Sequence, residues 1–190
     1  MVSRCRFLLV LPLLLIVLVS CGGSSGDSDA TSVSNGPTTG EAHVEEGEVR
    51  VGEPAPTFRL PTMDGRVLDL EEMEGKAVIV NFWATWCGPC RVEMPELQAA
   101  YERFHDHGLE IIGVEVASSG NAEQSAEFLQ EVGVSFPTYR DENNLMEDQY
   151  IKRPALPTTV FIDRQGIVRF VQIGPMTEAF IEEQLDALGF

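Results

Sequence analysis

An α/β fold is the class this sequence predicts, and three observations carry it. From residue 51 to the C-terminus, strand-like apolar runs alternate with helix-like amphipathic runs, the order from which layered sheet-and-helix domains are built. That span is long enough for one domain with a real core and too short for two comfortable ones. The third observation is local. Trp86-Cys87-Gly88-Pro89-Cys90 directly follows the apolar run Ala77-Val78-Ile79-Val80-Asn81-Phe82-Trp83, so a strand ends where a helix begins.

Taken in order, residues 57–60 and 67–70 read as a hairpin around Met63-Asp64-Gly65-Arg66. Residues 77–83 are a buried strand. A helix is predicted over 89–107, with apolar Val92, Leu97, Ala100, Tyr101 and Phe104. Pro95 inside it deletes the bond back to the Arg91 carbonyl, which predicts a kink. Residues 109–117 form the next strand, 122–132 the next helix and 136–139 a short strand. A helix over 144–150 stops before Pro154. Residues 158–162 and 167–173 make a hairpin around Asp163-Arg164-Gln165-Gly166, and a capped helix over 177–188 closes the chain.

The segment ahead of this domain has another character. Arg4 and Arg6 precede an apolar stretch over residues 7–19, the charge-then-hydrophobic layout of an export signal. The stretch is too short to span a bilayer core, which takes about 20 residues. It ends in Leu18-Val19-Ser20-Cys21, which resembles the lipobox of bacterial lipoproteins. That resemblance implies cleavage after residue 20, a lipid on Cys21 and loss of Cys5 with the signal peptide. The alternative is an ordinary signal cut near Ser20 that leaves Cys21 as a free thiol, a liability on an exported protein. Two acyl chains hold a protein to a membrane stably where one is marginal. Residues 21–50 then read as a lipid-anchored flexible tether: they are rich in Gly, Ser and Thr, poor in large apolar residues, and extended by Glu41, Glu45, Glu46 and Glu48. Such a coil has an end-to-end distance of roughly 30 Å.

With 30 acidic against 13 basic residues and a formal charge of −17, the chain has no basic patch with which to hold phosphates, and nucleic acid is excluded as a partner. The acidity otherwise speaks of solubility.

The pair Cys87 and Cys90 carries the chemistry. The first sulfur stands at a helix N-terminus, among unpaired backbone N–H groups and the positive end of the helix dipole. That setting favours thiolate, the species that attacks a disulfide. The second cysteine, one turn on, can close the ring and release the product. Pro89 sits early enough for its missing N–H to cost nothing. A zinc site with His105 and His107 is the first alternative: on one helix Cys90 and His105 are roughly 22 Å apart, whereas ligands must lie within about 2.3 Å of one ion. No metal is expected. A purely structural disulfide is the other alternative, but so short a ring removes little chain entropy.

The element order, the WCGPC after the apolar strand and Leu156-Pro157-Thr158-Thr159 before the late hairpin resemble the thioredoxin fold, and within it the TlpA/ResA-like thiol-disulfide oxidoreductases. The resemblance covers residues 51–190 and rests also on Gly133-Val134-Ser135-Phe136-Pro137 and Pro157-Thr158-Thr159-Val160-Phe161-Ile162-Asp163. It implies a central mixed sheet flanked by helices, with an N-terminal β-hairpin and a β-α insertion over residues 118–135. It implies further that Cys87 attacks, that Cys90 resolves, and that the two alternate between dithiol and disulfide. Pro157 matches the cis-proline beside the dithiol, with Leu156 pairing an incoming peptide. Glu93 matches the group's acid/base near the buried cysteine, while Asn81 replaces the aspartate of ordinary thioredoxins. Trp86, Gly88 and Pro89 complete the expected substrate surface; Trp83 is expected in the core. Arg153-Pro154-Ala155 departs from the glycine usual there, which bears on substrate preference.

The implied function is exchange of the dithiol with disulfides in partner proteins, with no bound cofactor, by a monomer anchored outside the cytoplasm. Gly88-Pro89 between the cysteines points to a reductant, recharged by a membrane thiol donor, with apocytochrome c as the leading substrate. Two alternatives share the fold. A thiol peroxidase would resemble Pro-x-x-x-Thr-x-x-Cys, but Val80 and Ala84 stand at those positions. A copper chaperone would use a Cys-x-x-x-Cys spacing, one residue longer than the one present.

Overall fold

The computed structural model describes residues 40–151 and 155–190. The expected signal over residues 1–20, the expected lipid acceptor Cys21 and the expected tether up to residue 39 lie outside the described residues, as do Lys152, Arg153 and Pro154. Among the described residues, no helix is long and apolar enough to cross a membrane.

Two sheets organise the domain. The first is antiparallel, in the order β1 (His43–Val44), β2 (Phe58–Pro61) and β3 (Val67–Asp69). The second has five strands in the order β6 (Thr138–Asp141), β5 (Leu109–Val116), β4 (Ala77–Trp83), β7 (Thr158–Ile162) and β8 (Val168–Ile173). It is mixed as expected, since β4, β5 and β6 run parallel while β7 and β8 pair antiparallel. All seven residues of β4 and all eight of β5 are buried, the condition of central strands covered on both faces. The helices are α1 (Gly88–Phe104), α2 (Ala122–Val132), α3 (Leu145–Tyr150) and α4 (Glu178–Ala187). α2 is the helix of the expected insertion and leads into the edge strand β6. Trp83 stacks on Phe128 of α2 at 4.8 Å, and Phe82 and Phe58 meet Tyr150 of α3.

Three boundaries differ from expectation by more than one residue. The span 21–50 does not act as tether to its end. β1 pairs with β2 at His43–Arg59 and Val44–Phe58, Glu45 N donates to Thr57 O at 2.9 Å, and Gly47 N donates to Gln149 Oε1 at 2.9 Å. A two-residue strand needs only the open edge of β2 and no apolar run of its own. The helix expected over 89–107 ends at Phe104 and tightens into a 3-10 turn over His105–His107, closed by Gly108 at φ 97°, a conformation that favours glycine. Pro95, where a kink is expected, lies exposed inside α1. The strand expected over 136–139 begins two residues later. Phe136 instead turns its ring edge-on to Tyr101 at 6.0 Å.

Candidate active site

The C-terminal ends of β4, β5 and β6 converge at one end of the larger sheet, and the chain turns there into α1. Cys87 N donates to Ala84 O at 3.0 Å, and Cys87 is the N-cap of α1, with extended backbone at φ −81° and ψ 101°. Its Sγ takes the part an N-cap oxygen usually plays, accepting from Cys90 N at 3.2 Å. Gly88 and Pro89 fill the first two helical positions and are exposed. The sulfurs of Cys87 and Cys90 are joined, with Cα atoms 5.3 Å apart. Cys87 keeps a trace of exposure (4%) and Cys90 has none. Of the two residues, Cys87 is the one that retains contact with solvent.

Glu93 lies three residues after Cys90, on the same face of α1, and is fully buried. Asn81 Nδ2, from the middle of β4, donates to Glu93 Oε1 at 2.6 Å, and Met176 N donates to Glu93 Oε2 at 3.1 Å. Burial raises the carboxyl from its usual range to about 7, against the lowering effect of those two hydrogen bonds. A carboxyl with that value exchanges its proton near neutrality, which suits a general acid/base. The charged run Glu93-Met94-Pro95-Glu96 would also suit a solvent-facing glutamate, but the burial of Glu93 excludes that.

The rim is built from three segments. Trp86 is 62% exposed beside Cys87, and its Nε1 donates to Ser118 O at 3.0 Å. β7 begins opposite Phe82, so Leu156 and Pro157 lie beside the end of β4. The Leu156–Pro157 bond is cis; Leu156 is half-buried and Pro157 buried. Gly174 N donates to Pro157 O at 2.9 Å, joining this corner to the loop that carries Met176. The two histidines have backbone partners of their own: His105 Nδ1 lies 3.2 Å from Leu109 O, and His107 Nδ1 lies 3.3 Å from Arg103 O.

Residues 51–171 match the model of the AhpC/TSA family. Thiol-disulfide oxidoreductase ResA of Halalkalibacterium halodurans is 38% identical over 139 residues, covering 73% of this chain and 77% of that protein. The ResA of Bacillus subtilis is 37% identical over 137 residues, covering 72% of this chain and 75% of that protein. This chain belongs to the AhpC/TSA family and is a ResA-like thiol-disulfide oxidoreductase. Its thioredoxin-like fold is shared with a thiol:disulfide interchange protein of the thioredoxin family from Chlorobium tepidum. That crystal structure matches with a TM-score of 0.65 at 29% identity, covering 75% of this chain and 100% of that one.

The ResA-like site also contains groups that sequence reasoning passed over. Asn81 was noted only for what it cannot do, yet it donates to both Glu93 and Thr159 Oγ1, the latter at 2.9 Å. Ser118 and Ser119 brace the turn before Cys87, with Thr85 N donating to Ser119 Oγ at 2.8 Å. A polar residue inside an apolar run was the available signal for Asn81 and for Glu115, both fully buried. Nothing in the sequence marked the serines.

Proposed function

We propose that this ResA-like protein is a reductant of protein disulfides, held outside the cytoplasm on a membrane by a lipid on Cys21. In the reduced protein the Cys87 thiolate attacks a substrate disulfide. One Cys87–substrate bond forms, the substrate S–S bond breaks, and the first substrate sulfur leaves as thiolate. Cys90 then gives its proton to ionised Glu93 and attacks Cys87 Sγ. The Cys87–Cys90 disulfide forms and the second substrate sulfur departs. Two electrons have passed to the substrate, and Glu93 returns its proton to solvent or to a departing sulfur. The Leu156 backbone beside Pro157 pairs with the incoming peptide, and Trp86, Gly88 and Pro89 supply an apolar lip. A membrane thiol donor restores the dithiol, as an oxidising compartment demands.

The observation that carries this reading is the unequal pair: a slightly open Cys87 at a helix N-terminus, bonded to a closed Cys90 one turn before a buried Glu93. Cysteine pairs awaiting haem in apocytochrome c are the leading substrate. The reduction potential of Cys87–Cys90 tests the direction of electron flow. A value near or below about −250 mV supports the reductant, and one near −120 mV marks an oxidant and overturns it. Mass spectrometry of the mature N-terminus tests the anchor: a diacylated Cys21 is expected, and an unmodified Cys21 contradicts it.

A further inference from the structure

The loop after β5 is fastened on two sides. On one side it holds the turn before Cys87: Ser119 Oγ accepts from Thr85 N at 2.8 Å, Ser119 O accepts from the Thr85 hydroxyl at 2.5 Å, and Ser118 O accepts from Trp86 Nε1 at 3.0 Å. On the other side stands Arg140 of β6, the register neighbour of Glu115 in β5. Arg140 Nη2 donates to Gly120 O, Nη1 donates to Ser125 Oγ at 3.2 Å, and Nη1 lies 3.9 Å from Glu115 Oε2. The Ser125 hydroxyl passes the chain on, donating to Glu115 Oε1 at 2.5 Å. At the outer rim Arg140 Nε meets Glu142 Oε1 at 3.2 Å. Glu115 and Ser125 are fully buried.

A buried ion pair contributes little to stability compared with good apolar packing, so its effect here is geometric. A guanidinium offers donors in fixed directions. Glu115 and Ser125 fix the plane of Arg140, and that plane fixes the Gly120 carbonyl. Gly120 follows Ser118 and Ser119 directly in the chain and holds φ 148°, a conformation that favours glycine. Whatever moves Gly120 therefore moves Ser118 and Ser119, on which Trp86 and Thr85 lean.

We infer that Arg140, held by Glu115 and Ser125, is a positioning residue for Trp86 and sets how well Cys87 receives a disulfide carried on a polypeptide. The inference deepens the protein-disulfide reading and rests on it. A small disulfide needs only the Cys87 sulfur, whereas a polypeptide must also lie against the exposed indole.

The test compares the reduced wild type with Arg140→Lys and with the double variant Glu115→Gln/Arg140→Gln, which removes both charges of the pair together and so leaves no buried charge unpaired. The probes are insulin, as a protein disulfide, and hydroxyethyl disulfide. Both variants are expected to lose roughly ten-fold in kcat/KM toward insulin, mostly through KM, while the small disulfide stays within about two-fold. The Trp86 indole N–H, followed by nuclear magnetic resonance and assigned with Trp86→Phe, is expected to exchange faster with solvent. A parallel loss on both probes, an unchanged insulin rate, or an unmoved indole signal overturns the role. A wild type inert toward both probes overturns the reading beneath it instead.

Discussion

Asn81 Nδ2 lies 2.6 Å from Glu93 Oε1, in a place where neither side chain is exposed to solvent. A residue that cannot titrate thereby adjusts one that does. The amide favours the ionised carboxyl, burial favours the neutral one, and burial is the larger of the two.

Glu93→Gln keeps the shape of the side chain and removes its proton chemistry. The resolving step, followed by stopped-flow release of the second substrate thiol, is expected to slow by roughly 10²-fold or more. In the wild type its rate should rise with pH through a midpoint near 7, the value of the Glu93 carboxyl. The variant should lose that limb. An unchanged pH profile would remove Glu93 from the mechanism.

Asn81→Leu withdraws the hydrogen bond that lowers the Glu93 carboxyl. The sign follows: the midpoint of the resolving step should move above 7. The same pH titration reads it, and a shift downward contradicts the assignment of Asn81.

Stability should carry the same signature. The Glu93 carboxyl is raised in the folded state from 4.5 to about 7, so between those values the folded protein binds the extra proton and the unfolded chain does not. Stability linked to this group is present below pH 4.5 and is lost as pH rises through 7, by about 3 kcal/mol at most. Urea unfolding of the oxidised wild type against Glu93→Gln across this window should show the wild type losing stability relative to the variant as pH rises. A relative stability that stays flat, or that rises in favour of the wild type, runs against it.

Much of this site was legible because its parts are local. A strand, a turn and Cys-x-x-Cys at a helix start are contiguous, and the closing helix α4 is capped as expected, the Thr177 hydroxyl accepting from Phe180 N. What escaped is what long-range contacts decide. β1 consists of two residues in an acidic stretch, and only the edge of β2, fifteen residues away, makes it a strand. The pairing of Glu115 with Arg140 escaped as well, because it joins neighbouring parallel strands. Met176 reaches Glu93 from the loop after β8, 83 residues along the chain.

The central claim is that Cys87 makes the bond to the visiting protein and Cys90 breaks it, and trapping tests this most directly. Reduced Cys90→Ser is mixed with a protein disulfide, and the product is resolved without reductant and mapped by mass spectrometry. The account predicts a stable mixed disulfide through Cys87 in that variant and none in Cys87→Ser. A complex trapped through Cys90 in Cys87→Ser, or no complex in either variant, would contradict it.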